Sequence, residues 1–95
     1  MTVEVEPHSL LDAFKGRMRI FHAGEDANLS RMLESSEQAI FQTVGTTKYN
    51  PRVRELILER ARYAYNDQVE FFYQNFQGDL MALSLENYKS EEIDD

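Results

Sequence analysis

Ninety-five residues with a formal net charge of −7 and no cysteine describe one small acidic domain. The missing cysteines exclude disulfides and thiolate metal sites, which fits a reducing compartment. No run of about 18 apolar residues occurs, so no membrane helix is expected, and the acidic start MTVEVE lacks the basic opening of a secretory leader.

Residues 1–8 read as a flexible arm, because Pro7 disfavours a helical neighbour. Ser9 is a candidate N-cap with Asp12 three residues on, followed by a short helix with an apolar stripe of Leu10, Leu11 and Phe14. Gly16 is expected to end it. The run RMRIF, residues 17–21, alternates polar and apolar residues but has no second alternating run to pair with, so it reads as an extended connector. A second helix spans about 25–44. Glu25 and Asp26 sit near its positive end, and Leu29, Met32, Leu33, Ser36, Ile40 and Val44 recur at helical spacing. Gly45 closes it.

Asn50-Pro51 is a strong helix start: a capping residue followed by proline at the first helical position. No glycine or proline follows until Gly78, so the third helix is expected to run from 51 to about 74, roughly 36 Å. Val53, Leu56, Ile57, Ala61, Ala64, Val69 and Phe72 trace its core face. A short C-terminal helix is expected after Gly78, then a flexible acidic tail at 89–95. The fold class is therefore all-α: a small helical bundle with one long helix, the domain proper covering 9–88.

The stretch RYAYNDQVEFFYQNF, residues 62–76, holds six of the eleven aromatic residues. On a helix, Tyr65, Val69, Phe72 and Phe76 share one stripe, whereas Tyr63, Phe71 and Tyr73 fall off it. Leu29, Leu33, Ile40, Ile57, Ala61 and Tyr65 are expected in the core. Tyr63, Phe71 and Tyr73 are expected on a protein-contact surface, since three aromatics left in water approach the size of patch that marks an interaction site.

Charge is segregated along the chain. Residues 15–19 carry +3, residues 48–62 carry +3 and residues 63–95 carry −7. Lys15, Arg17, Arg19, Arg52 and Arg60 are the candidate basic contacts of a head-to-tail assembly, which needs two different complementary faces on each subunit. Local ion pairing of Glu55 and Glu59 with Arg52, Arg60 and Arg62 is the competing use of these charges. A net acidic chain lacks the basic footprint of a nucleic-acid binder. His8 and His22 stand apart from other ligand types and read as solvated. No phosphate loop, dinucleotide fingerprint or nucleophile elbow occurs, and no cofactor, metal or catalytic activity is expected.

The order of these features resembles the head–tail connector family of tailed double-stranded DNA bacteriophages, also called head-completion or adaptor proteins. Lys15 closing a short helix, Met18-Arg19-Ile20, Glu25-Asp26 and Val44-Gly45 follow the family's order, and "LLDAFKGRMRIFHAGEDANLSRMLESSEQAIFQTVG" is similar to its opening. Tyr65-Asn66-Asp67-Gln68 keeps the tyrosine of a Tyr-Glu-Asn-Arg-like element and lacks its arginine. LMALSLENY, residues 80–88, is similar to the closing element but longer. The resemblance covers about 9–88. It implies a ring of about a dozen copies under the portal protein, an extended DNA channel without specific DNA binding, and a docking surface for the next connector or tail protein. It also implies assembly in the host cytoplasm, residence at the head–tail junction of the virion, and no catalysis. A small helical adaptor that binds one partner through the aromatic patch is the alternative reading.

Overall fold

The computed structural model describes residues 7–93, with side chains described for 7–88. Four helices follow one another: α1 (Leu11–Met18), α2 (Asp26–Val44), α3 (Pro51–Tyr65) and α4 (Val69–Ile93). No strand occurs among the described residues. The all-α bundle expected from the sequence is the observed architecture.

α2 and α3 pack against each other, α4 lies across both, and α1 braces α2 and α3. The core joins Leu11 and Phe14 of α1, Leu29, Leu33, Ile40 and Val44 of α2, Val53, Ile57, Leu58 and Ala61 of α3, and Phe72, Leu80 and Leu83 of α4. These positions recur at three- and four-residue steps, so each helix turns one stripe inward. Five of the six expected core residues are buried. Tyr65 is the exception: its ring meets Phe14 edge-on at 6.4 Å, while its hydroxyl reaches outward to donate to Glu25 at 3.2 Å.

Helix ends follow local chemistry. Asn50 Oδ1 accepts the Val53 amide at 2.8 Å with Pro51 behind it, as the sequence predicts. Gly45 adopts φ 73°, the left-handed conformation that ends α2 at low steric cost. Three boundaries differ from expectation. Ser9 does not cap α1. The cap position falls to Leu10, which makes no side-chain cap, and the ring of His8 accepts the Leu10 amide through Nδ1 at 3.0 Å just ahead of the helix. Gly16 lies inside α1, which ends at Arg19 instead (φ 59°), where the Ile20 amide reaches back to the Lys15 carbonyl at 2.9 Å. Arg17 and Met18 are therefore helical, and the connector begins only at Arg19.

The largest correction concerns the long helix. The predicted 51–74 rod is broken at Asn66-Asp67-Gln68, where Asp67 takes φ 60°. The Asn66 side-chain amide donates to the Arg62 carbonyl at 3.0 Å, adding to the backbone amide of Asn66 on the same oxygen at 3.3 Å. The chain reverses, and the 25 residues of α4 form the long element, about 37 Å from end to end. α4 runs straight through Gly78, which is exposed with open space around it. Its backbone also takes in residues 89–93, where an acidic tail was expected. Residues 1–6 of the expected arm and the last two of the expected tail lie outside the described residues.

Candidate interaction surface

α4 is apolar on two sides. Its inner stripe, Phe72, Phe76, Leu80 and Leu83, meets α2 and α3. Phe72 is fully buried, stacked on Phe76 with centroids 5.0 Å apart and edge-on to Tyr63 and Tyr73. The Asn87 amide fastens the far end of this stripe by donating to the Val44 carbonyl at the end of α2, at 2.6 Å. The outer side carries Phe71 (46 % exposed), Met81 (57 %), Leu85 (56 %) and Tyr88 (62 %). A helix with apolar stripes on two opposite sides is one that expects burial on both.

Between Phe71 and Tyr88 the outer face is also uncharged, Glu70 standing just before it. From Phe71 to Tyr88 only Asp79 and Glu86 bear charge, and both sit on the flank beside α3. Glu86 pairs with Arg52 at 2.6 Å, and Asp79 borders a recess shared with Arg52, Glu55 and Phe76. On the opposite flank, Thr43 of α2 and Tyr73, Gln77, Met81 and Ser84 of α4 border an open groove of about 590 Å³.

The aromatic residues named from the sequence divide. Phe71 faces solvent as expected. Tyr73 is half on the surface, its hydroxyl accepting from Arg60 Nε at 3.0 Å. Tyr63 is corrected. It is half-buried within the chain, edge-on to Phe72 and Phe76, with the Arg62 guanidinium over its ring at 4.9 Å and the Asn75 amide donating to its hydroxyl at 3.0 Å. The helix break at 66–68 causes this. It folds α4 back so that Tyr63 on α3 meets Phe72 and Phe76.

Most of the candidate basic contacts are engaged within the chain. Lys15 pairs with Asp26 at 2.6 Å and so ties α1 to the start of α2. Arg17 bridges Glu55 and Glu59, reaching the latter at 2.8 Å. Arg62 also pairs with Glu59, at 2.8 Å. These two donors, that of Arg62 foremost, hold the Glu59 carboxyl below the usual glutamate range. Arg60 Nη1 donates to the buried Ser36 hydroxyl at 3.0 Å. Arg19 is exposed at the α1 terminus and makes no ion pair among the described residues. The segregated charge is thus largely used in joining α1, α3 and α4, and it carries little of an argument for contacts between subunits.

His8 is a second correction, because the sequence placed it in a solvated arm. Its side chain is largely covered. Nε2 lies 2.7 Å from Glu37 Oε1, its backbone amide donates to Ser30 Oγ at 3.2 Å, and Tyr49 donates its hydroxyl to the same Glu37 oxygen. Burial, with the Glu37 carboxylate beside it, pushes the Tyr49 phenol well above the ordinary tyrosine range. Ligand atoms of His8, Glu34 and Glu37 approach within 4.8 Å of one another, a spacing compatible with a metal ion. The hydrogen bonds argue otherwise. The Leu10 amide can only donate, so Nδ1 is the bare nitrogen and Nε2 carries the proton given to Glu37. A metal at Nε2 would have to displace that proton while Nδ1 remained an acceptor, which leaves no proton on the ring. The cluster is read as a clasp holding the chain start to α2 and the α2–α3 loop. No local signal could have revealed it, since Glu37 lies 29 residues away.

No helix among the described residues is long and apolar enough to cross a membrane. What the geometry defines is an all-α domain with a closed polar clasp at one end and an uncharged apolar helix face along one side. In comparisons with known proteins, no family model, curated protein or solved structure matches the chain.

Proposed function

We propose that the chain is an assembly protein that works by laying the outer face of α4 against a helix of another protein. On the order of motifs in its sequence, we place it as a subunit of a bacteriophage head–tail connector. The observation that carries the docking part is the exposed, uncharged row of Phe71, Met81, Leu85 and Tyr88 on the longest helix. An apolar patch of several hundred Å² on so small a domain costs stability and solubility unless it is covered in the working state. The connector part rests on the resemblance over about 9–88. In this reading copies form a ring against the portal protein, the next connector or tail protein docks below, and DNA passes through without being gripped.

The test mixes the purified protein with portal-bearing capsids and with capsids lacking a portal, then separates bound from free by sedimentation. Binding in several copies per portal vertex, abolished by Met81→Glu, is the expected result. No association with portal-bearing capsids defeats the connector reading. A one-to-one complex with a single non-portal protein, still abolished by Met81→Glu, defeats the ring and leaves docking through α4.

A further inference from the structure

The outer row of α4 has a register that single residues do not reveal. Phe71, Gln74, Gly78, Met81, Leu85 and Tyr88 are separated by three, four, three, four and three residues, and all six are exposed. That is the spacing of a two-stranded coiled-coil seam, lying on the side of the helix turned away from its own core. We propose that this seam pairs with the same seam of a second copy of the chain, antiparallel, about a two-fold axis between Gly78 and Met81.

Three observations select that occupant. The first is size. In an antiparallel pair Phe71 faces Tyr88 of the second copy, Gln74 faces Leu85, and Gly78 faces Met81. The position with no side chain thus meets the flexible, gap-filling one, and nothing lies within 4 Å of a Cβ placed at Gly78. A parallel pair sets glycine against glycine and leaves a hole at its centre. The second is charge. Two copies of a −7 chain repel, but the six seam positions bear no charge and are flanked over their middle by Asn75, Gln77, Ala82 and Ser84, with the exposed Glu70 beside Phe71 only at the seam's end. Asp79 and Glu86 are turned toward α3, so the middle of the seam is a place where like copies approach without like charges facing each other. The third is area. The exposed fractions of Phe71, Met81, Leu85 and Tyr88 leave on the order of 400 Å² of apolar side chain per copy, given the area an aromatic side chain buries when covered. With the flanking polar residues, a pair covers about 1,100 Å² in total, at the lower end of specific interfaces. Interfaces at this low end belong to weak, reversible association, and a dimer with a dissociation constant in the micromolar range is expected. A two-fold pair closes on itself. It therefore describes the free protein, and it rests on α4 alone, independently of any virion role.

The absence of cysteine makes the test direct. Phe71→Cys and Tyr88→Cys are prepared singly; both sites are exposed, so folding is retained. Under mild oxidation each variant is expected to stay uncrosslinked alone, because its own copies lie about 25 Å apart along the helix. Mixing the two is expected to yield a disulfide-linked dimer. Self-linkage of either variant alone overturns the antiparallel pairing. A protein that remains monomeric to about 1 mM in sedimentation velocity, far above any micromolar constant, overturns the dimer. Met81→Glu places two charges at the centre and is expected to raise the dissociation constant at least 100-fold without changing the monomer's circular dichroism. A dimer that survives this substitution lies elsewhere and also overturns the proposal.

Discussion

Phe71 and Phe72 are chemically identical neighbours on α4, one 46 % exposed and the other fully buried, and truncating each in turn separates the two faces of the helix. Phe72→Ala removes a ring enclosed by Tyr63, Tyr73 and Phe76. Transfer of the lost carbons and the cavity left behind together cost about 3–5 kcal/mol, toward the upper end because the edge contacts of the ring go with it. A domain of this length holds roughly 5–15 kcal/mol, so the variant keeps a marginal fold and its midpoint falls by more than about 10 °C. Phe71→Ala removes a ring that stands outside this aromatic cluster and is nearly half exposed, and its cost is about 1 kcal/mol or less. The assay is urea unfolding followed by circular dichroism at several protein concentrations, extrapolated to high dilution so that self-association adds nothing. Comparable losses for the two variants, or a loss above about 2 kcal/mol for Phe71→Ala at high dilution, would refute the two-faced description of α4.

Asn50→Ala deletes the hydrogen bond to the Val53 amide and is expected to lower stability by about 1 kcal/mol with the denaturant slope unchanged, whereas Asn50→Asp keeps it. Arg19→Gly relieves a side chain held at φ 59° and is expected to stabilise by about 0.5–1 kcal/mol, the gain from left-handed strain outweighing the added freedom of the unfolded chain. The carboxyl of Glu59 is held low chiefly by Arg62 and then by Arg17, so its contribution is complete above the unfolded glutamate value and is lost as pH falls through the lower folded value. Glu59→Gln should therefore flatten the acid limb of a stability-against-pH curve and leave its slope near neutrality unchanged.

Punctuation by proline, glycine and capping side chains made much of the fold legible: Asn50-Pro51 and Gly45 stand where the sequence placed them, and the buried stripe of α2 follows its periodicity. The α3–α4 reversal carries no glycine or proline to mark it in the sequence. Asn66-Asp67 supplies the same turn by other means, since short polar side chains bond locally to the backbone and tolerate the left-handed region. Gly78 misled in the opposite sense. A glycine inside a helix costs only about 1 kcal/mol, and the packing of Phe72, Leu80 and Leu83 on either side of it exceeds that. The exposed aromatic surface was anticipated at Phe71 and Tyr73. Its extension through Met81, Leu85 and Tyr88 was hidden, because the seam appears only once α4 is known to be continuous. The basic residues were seen as a surface, but their partners on α2, α3 and α4 are fixed by tertiary packing alone.

Docking through α4 requires its outer face to be covered when the protein works. Met81 lies in the middle of that face, and its thioether is open to dilute peroxide in the free monomer, whereas Met18 and Met32 are half-buried against the core. Oxidation rates of the three methionines, read by mass spectrometry in the monomer and in the assembled state, test the claim. Met81 should be protected severalfold on assembly while Met18 and Met32 keep their rates; an unchanged rate at Met81 would place the contact elsewhere and rule out docking through this face.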